Sequence, residues 1–349
     1  MPSLAEALSG SLQSAWWAPG LRPLSIALSP LAWTYRALLA GRRLAHAASG
    51  SSLSQLRAPV VVVGNLVVGG AGKTPVVIAL VEALRRDGWT PGVIARGYGA
   101  RAGGIRAARP DSTPAVVGDE PLLVARRTGV PVWVGSRRLQ VAQALLEAHP
   151  EVNLIISDDG LQHLALPRQA QVVVFDGRGV GNGAVLPAGP LREPMTAAPP
   201  ARTVVLYNAS APSTPWTGHC MARRLAPPLP LQDWWSDAGL GSLAPMDWQD
   251  LRGRDVLAAA GVGAPERFFA MLRDQGLQVT GLPLPDHADF TRVPWPAGDT
   301  PILVTEKDAV KLPVDHPDAA RIGVVRLDSS VPTAALDELR ALLPSVPLQ

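Results

Sequence analysis

Cysteine is almost missing from the 349 residues: Cys220 stands alone. A single thiol excludes an internal disulfide and a Cys-based zinc site, and it fits a reducing compartment. Charge is sparse at 17% of residues, and 32 basic against 29 acidic side chains leave a net charge of only +3. That small, arginine-rich excess suits anionic ligands such as nucleotides or phosphorylated lipids. It is too weak for nucleic acid, and no run of Lys or Arg forms a basic arm. Long apolar runs are missing too. No stretch reaches the roughly 18–20 apolar residues a spanning helix needs. The first residues lack the basic region, apolar core and cleavage site of a signal peptide.

What is present is mostly apolar. Hydrophobic residues make up 47% of the chain, punctuated by 35 prolines and 33 glycines. This predicts a packed globule with many short loops, and the length predicts two domains. The most telling stretch is Val60–Pro75. A β-branched run, Val60–Val63, enters a Gly-rich turn that ends in Gly72-Lys73-Thr74. An apolar run, Val76–Leu84, follows and closes at Asp87-Gly88. The pattern is strand, loop, helix. Backbone N–H groups of such a loop cradle phosphate oxygens, Lys73 adds a point charge, and the Thr74 hydroxyl suits Mg²⁺. Predicted nucleotide contacts are Val67, Val68, Gly69, Gly70, Ala71, Gly72, Lys73 and Thr74. Val67 stands where the full pattern has its first Gly, so the loop is a variant.

Upstream, Leu21, Leu24, Leu28, Leu31, Tyr35 and Leu38 recur at helical spacing. Ser29-Pro30 reads as an N-cap and N1 pair, so a helix is expected to start there. Trp16, Trp17 and Trp33 add amphipathic rings, and Arg36, Arg42 and Arg43 add charge. The stripe suits a helix lying in a membrane interface or one packed on the chain's own core.

Downstream, strands are expected at Pro91–Ala95, Val130–Val134, Val152–Ser157, Gln171–Phe175 and Thr203–Tyr207. Helices are expected from Asp119 to about Arg127 and from Arg137 to Ala148. Residues 100–117 read as a hairpin or long loop and 209–230 as a connector. A second α/β unit follows, with strand Val256–Ala260, helix Pro265–Gln275 and strand Ile302–Thr305. Alternating strands and helices predict a mostly parallel sheet with helices on both faces, and ligands at the carboxyl ends of its strands.

Four loops carry candidate chemistry. Asp158-Asp159 ends an apolar strand downstream of the phosphate loop, a usual place for a Mg²⁺-associated carboxylate. Asp176 ends a similar strand and competes for that role. Asp119-Glu120-Pro121 opens a helix, where acidic residues also serve as caps. Pro285-Asp286-His287-Ala288-Asp289 sets an imidazole between carboxylates, or is a polar surface loop. Thr305-Glu306-Lys307-Asp308 reads as a strand-end loop that contacts nucleotide or substrate.

As an ordered set these segments resemble the tetraacyldisaccharide 4′-kinase family, the lipid A kinases. The resemblance is carried by Val63-Gly64-Asn65 through Lys73-Thr74-Pro75, Ala95-Arg96-Gly97-Tyr98-Gly99, Gly118-Asp119-Glu120-Pro121 and Ser157-Asp158-Asp159-Gly160-Leu161-Gln162-His163. It continues through Leu186–Pro194, Gly261–Phe269, Pro285-Asp286-His287 and Thr305–Lys311. The family's loop also lacks the first Gly. Leu161, where Phe is usual, and Ala288, where a second His is common, are mild departures. The resemblance implies ATP- and Mg²⁺-dependent phosphorylation of the 4′-hydroxyl of a tetraacylated glucosamine disaccharide 1-phosphate, giving lipid IVA. It implies a peripheral enzyme on the cytoplasmic face of the bacterial inner membrane, with the N-terminal stripe as the membrane element. Lys73 would hold the β/γ-phosphates, and Thr74 with Asp158 or Asp159 would hold Mg²⁺. Asp119 would be the base on the acceptor hydroxyl and His287 its partner, with Lys73 and Asp159 completing the catalytic set. Arg96, Tyr98 and Arg138 would contact substrate.

The implied architecture is a P-loop NTPase-like α/β domain, a second smaller α/β domain and an N-terminal amphipathic helical segment, with the site in the cleft. The expected divisions are 1–50 for that segment, 51–208 for the kinase core, 209–245 for a linker and 246–349 for the C-terminal subdomain. Partners are the lipid substrate and the membrane surface; no protein partner follows. The alternative is a membrane-associated P-loop ATPase switch of the partitioning or septum-placing kind. That class typically carries a Lys just before the paired glycines, where this chain has Val68. A ligase-like enzyme on a soluble acid leaves the N-terminal stripe unexplained.

Overall fold

A computed structural model describes residues 4–48, 56–99, 103–236, 246–285, 288, 290 and 293–346. The chain opens with helices α1 (Leu4–Trp17) and α2 (Pro23–Ala48). Strand β1 (Val60–Gly64) leads through the glycine loop into α3 (Lys73–Arg86). There follow β2 (Pro91–Ala95), β3 (Arg106–Ala108), α4 (Pro114–Val117), α5 (Asp119–Thr128), β4 (Val132–Val134), α6 (Arg138–Ala148) and β5 (Leu154–Asp158). Next come β6 (Ala170–Asp176), β7 (Thr203–Asn208), β8 (His219–Cys220), β9 (Ala222–Leu225), β10 (Leu229–Pro230), α7 (Leu231–Ser236) and α8 (Trp248–Leu251). The last elements are β11 (Asp255–Ala260), α9 (Pro265–Asp274), β12 (Gln278–Pro283), β13 (Ile302–Thr305), α10 (Glu306–Ala309), β14 (Ile322–Val325), β15 (Leu327–Ser330) and α11 (Thr333–Leu342).

Helix α2 departs from expectation at its start. It begins at Pro23, so Pro30 lies inside the helix and Ser29 is no cap. Pro23 already supplies the fixed φ that favours a first helical position. Pro30 then costs the helix one backbone bond. The Ser29 hydroxyl donates to the Ser25 carbonyl at 3.0 Å, and the Thr34 hydroxyl to the Pro30 carbonyl at 3.2 Å. Within 100–117, expected as a hairpin or long loop, the described residues contain β3, paired antiparallel to β4, and the short α4. The expected connector contains β8, β9 and β10.

Tertiary contacts divide the chain into two units, one of three segments and one of two. The first comprises Met1–Lys73, Ser157–Ala222 and Val331–Gln349. In it β1, β6, β7 and β8 run parallel in that order. Val60–Val63, Val172–Phe175 and Val204–Tyr207 are buried, as parallel strands covered on both faces require. Phe175 stacks on Tyr207 with ring centres 5.7 Å apart. The second unit comprises Thr74–Ile156 and Arg223–Ser330. It holds the parallel pair β2 and β4, and a five-stranded sheet in the order β10-β14-β13-β11-β12. Only β10 of that sheet is antiparallel to its neighbour. Its core gathers Val256, Ala258, Phe269, Leu272 and Leu303. The chain is therefore mostly parallel α/β.

Candidate active site

In the first unit β1 delivers the phosphate loop. Val67 is 1% exposed and bridges Leu191, while the Val68 N–H donates to the Pro190 carbonyl at 2.8 Å. Here lies the reason for the missing first glycine. The position pairs as extended backbone, which a β-branched residue favours. The Val68 N–H is spent there, so the open loop narrows to Gly69–Lys73. The same pairing continues through the Arg192 N–H, which donates to the Leu66 carbonyl at 2.7 Å and sets that side chain beside the loop.

Lys73 donates to Asn65 Oδ1 at 3.2 Å and lies 3.6 Å from Asp159 Oδ1. Arg192 Nη1 donates to both Asp159 oxygens, at 2.8 and 3.0 Å. Asp158, the last residue of β5, is buried, whereas the Asp159 side chain is 36% exposed. Asp159 has φ +52, a left-handed conformation that Asp tolerates better than most residues. The competing Asp176 is taken up elsewhere: Arg178 Nε and Nη2 grip its two oxygens at 2.7–3.2 Å. Arg192 was not among the expected site residues. The signal was its place in Leu186–Pro194, a segment that reads only as Gly/Pro-rich loop until its pairing with Leu66–Val68 is known.

Helix α2 is fastened to this neighbourhood. Tyr35 donates to the Arg192 carbonyl at 2.9 Å, Arg42 to the Gln162 carbonyl at 3.2 Å, and Arg43 pairs with Glu193. Two of the three arginines that add charge to the stripe thus hold the helix to the protein. Its apolar residues face outward: Leu31, Trp33 and Leu38 are 59%, 67% and 68% exposed.

Thr74, Asp119 and the expected substrate residues belong to the second unit. Thr74 is buried in the first turn of α3. Asp119 opens α5, is 5% exposed, and accepts the Glu120 N–H at 2.9 Å. Gly118 before it has φ +89, and a Cβ there would stand 2.7 Å from the Tyr98 carbonyl. Only glycine permits that approach, and through it the Arg96-Gly97-Tyr98 turn lies against the start of α5. Arg96 and Tyr98 are exposed. Arg138 differs in being buried: it is 2% exposed and donates to the carbonyl of Gly135, whose N–H donates to the Ala95 carbonyl beside Arg96. So enclosed, it supports the start of α6. His287 lies outside the described residues.

Thr305–Lys311, expected as a strand-end loop, holds the short helix α10, and its polar groups bond within the unit. Asp308, 0% exposed, accepts from the Gly261 N–H at 3.0 Å, the Thr305 hydroxyl at 2.7 Å and Lys311 at 2.9 Å. Glu306 accepts from Arg127 at 2.6 Å and from the Trp234 indole at 3.3 Å. Burial pushes its carboxyl above the ordinary range, against the pull of Arg127. Lys307 pairs with Glu120 at 3.0 Å, next to Asp119. Lys73, Lys307 and Lys311 are the lysines of the chain, and each faces a carboxylate of one of these motifs.

Comparison with known proteins follows the same lines. A family model described as tetraacyldisaccharide-1-P 4′-kinase matches residues 24–344. A tetraacyldisaccharide 4′-kinase of Leptothrix cholodnii is 47% identical, over 99% of this chain and 99% of its own. One of Methylibium petroleiphilum is 49% identical over 90% of this chain and 87% of its own. Among solved structures, LpxK of Aquifex aeolicus, described as the "apo" form in complex with ATP, matches with a TM-score of 0.73 at 24% identity. That match covers 91% of this chain and 98% of the other, and it speaks for the fold. With most of its length matched by the family model and by a relative of nearly half identity, the chain belongs to the tetraacyldisaccharide-1-P 4′-kinase family.

Proposed function

We propose that this kinase of lipid A biosynthesis moves the γ-phosphoryl group of ATP to the 4′-hydroxyl of a tetraacylated glucosamine disaccharide 1-phosphate. The carrying observation is the open glycine loop with Lys73 held between Asn65 and Asp159. Phosphoryl transfer asks the protein mainly for position and charge. Lys73 and Arg192 supply positive charge at one place, and the loop's backbone supplies donors. Asp119 is our candidate to take the proton of the acceptor hydroxyl, with His287 as its partner. Arg96 and Tyr98 are candidate contacts to the substrate head group. The switch-ATPase alternative finds no support, since the match along 24–344 is to the kinase family.

Mg²⁺ accepts one or two protein carboxylates beside phosphate oxygens. Adjacent Asp158 and Asp159 are donors of that hard-oxygen kind. Bound there, the ion would neutralise charge on the phosphates. ATP as donor is supported by the phosphate loop and by the ATP held in the Aquifex aeolicus structure.

The membrane side of the proposal rests on α2. No helix among the described residues is long and apolar enough to cross a membrane. An outward apolar stripe on a fastened helix suits lying in the interface instead. A cavity of about 300 Å³ between α2 and the 180–195 loop, lined by Leu21, Trp33, Val185, Leu191 and Met195, offers apolar wall beside it. We place the enzyme on the cytoplasmic face of the inner membrane, where ATP meets the lipid. The test is incubation with γ-labelled ATP and a lipid A disaccharide 1-phosphate. Label is expected at the 4′ position; ATP hydrolysis with unlabelled lipid would refute the proposal.

A further inference from the structure

Three consecutive peptide carbonyls of the phosphate loop are held by two side chains that no motif marks. Asn208, the last residue of β7, is 3% exposed, and its Nδ2 donates to the Ala71 carbonyl at 2.6 Å and the Gly72 carbonyl at 3.1 Å. Arg178, just beyond β6, donates from Nη2 to the Gly70 carbonyl at 3.0 Å. The guanidinium has further partners. Asp176 takes its Nε and Nη2, and the Trp17 indole covers its face at 4.2 Å. Asp176 and Asn208 are opposite each other in the β6–β7 pairing, so two adjacent strand ends supply the two holds.

The consequence follows from peptide geometry. In a trans peptide the carbonyl and the next N–H point to opposite sides of the chain. Turning the carbonyls of Gly70, Ala71 and Gly72 onto Arg178 and Asn208 turns the N–H groups of Ala71, Gly72 and Lys73 the other way. Successive N–H groups around a left-handed residue make an anion-binding nest. Gly72, at φ +76, is that residue, and a Cβ on it would come within 2.5 Å of Asn208 Nδ2. The hold has a cost: Asn208 Oδ1 is buried with no hydrogen-bond partner among the described residues.

We infer that Asn208 and Arg178 are positioning residues for the nucleotide. They fix the loop's N–H groups before the phosphates arrive, and Asp176 serves to aim Arg178. The inference rests on the kinase reading above. An Asp at 208 has the same shape but sets an acceptor against two carbonyls. A Lys at 178 keeps the charge but cannot span Asp176, Gly70 and Trp17 together.

The experiment titrates ATP and lipid separately in steady-state assays of wild type, Asn208→Asp and Arg178→Lys, with thermal unfolding alongside. The expected result is a KM for ATP raised roughly tenfold or more, the scale of one spoiled buried hydrogen bond. The KM for lipid stays near wild type in both variants, and the melting curve does so for Arg178→Lys. Arg178→Lys decides the matter if Asn208→Asp does not fold. An unchanged KM for ATP in a folded variant, or an equal rise in both KM values, overturns the assignment. Failure of the wild type to phosphorylate the lipid would overturn the kinase reading instead.

Discussion

Asp119 and Lys73 are given different work, so removing them separates two observables. Asp119→Ala is expected to lower turnover by about 10²–10⁴, the usual worth of a positioned acid or base, while ATP affinity persists. Loss of ATP affinity instead would move Asp119 to the nucleotide. At this scale the sequence was legible where spacing carries chemistry. Gly72-Lys73-Thr74 and Asp158-Asp159 stand out as candidates because their residues are adjacent in sequence. Arg192 and Asn208 do not, because they reach the loop through chain pairing and strand order, which local spacing does not encode. Arg138 came from resemblance alone, which does not tell an open cation from an enclosed one, and here it is 2% exposed.

Among the elements, α2 joins function to surface. Its heptad-like stripe was readable, but which face turned outward was not, since apolar spacing is the same for a core stripe and a membrane stripe. The answer lies in Tyr35, Arg42 and Arg43, whose bonds to the 162–193 region spend the polar side inward. The start of α2 was misread because Ser29-Pro30 has good cap chemistry wherever it falls. Leu31→Asp, Trp33→Asp and Leu38→Asp together are expected to leave the fold intact, since all three are exposed. They should weaken sedimentation with anionic liposomes by tenfold or more, given about 1.5–3 kcal/mol for each large apolar side chain buried. Unaltered sedimentation would place the membrane contact elsewhere.

On the scale of the whole molecule, tertiary contacts draw the chain into units that it leaves and re-enters. Strands and helices were legible from their β-branched runs and punctuation; the gathering of distant segments was not. In the second unit the gathering passes through Arg127, which ties α5 to Glu306 of α10 at 2.6 Å and Asp328 of β15 at 2.9 Å. Arg127→Met would leave Glu306 enclosed without its cation, at a cost of about 3–5 kcal/mol. A carboxyl with a raised folded pKa stabilises the fold at acid pH, and that contribution is lost as pH rises through the folded value. Removing Arg127 raises that value further. The variant's deficit in thermal unfolding should therefore shrink as pH falls and the Glu306 carboxyl becomes protonated. A deficit independent of pH would show that packing, and not the buried charge, is lost.

The carboxylate partners of the three lysines carry a practical consequence. With 32 cationic side chains and ε-amines only at 73, 307 and 311, the protein is nearly blind to amine-reactive reagents. Each amine sits deep, at 11%, 17% and 6% side-chain exposure. Mass spectrometry after brief acylation would report on few positions besides these. Lys73 would read the phosphate loop, Lys307 the neighbourhood of Asp119, and Lys311 the enclosed Asp308 hub. The enzyme comes with its own footprinting sites, and occupancy can be followed without engineering new ones.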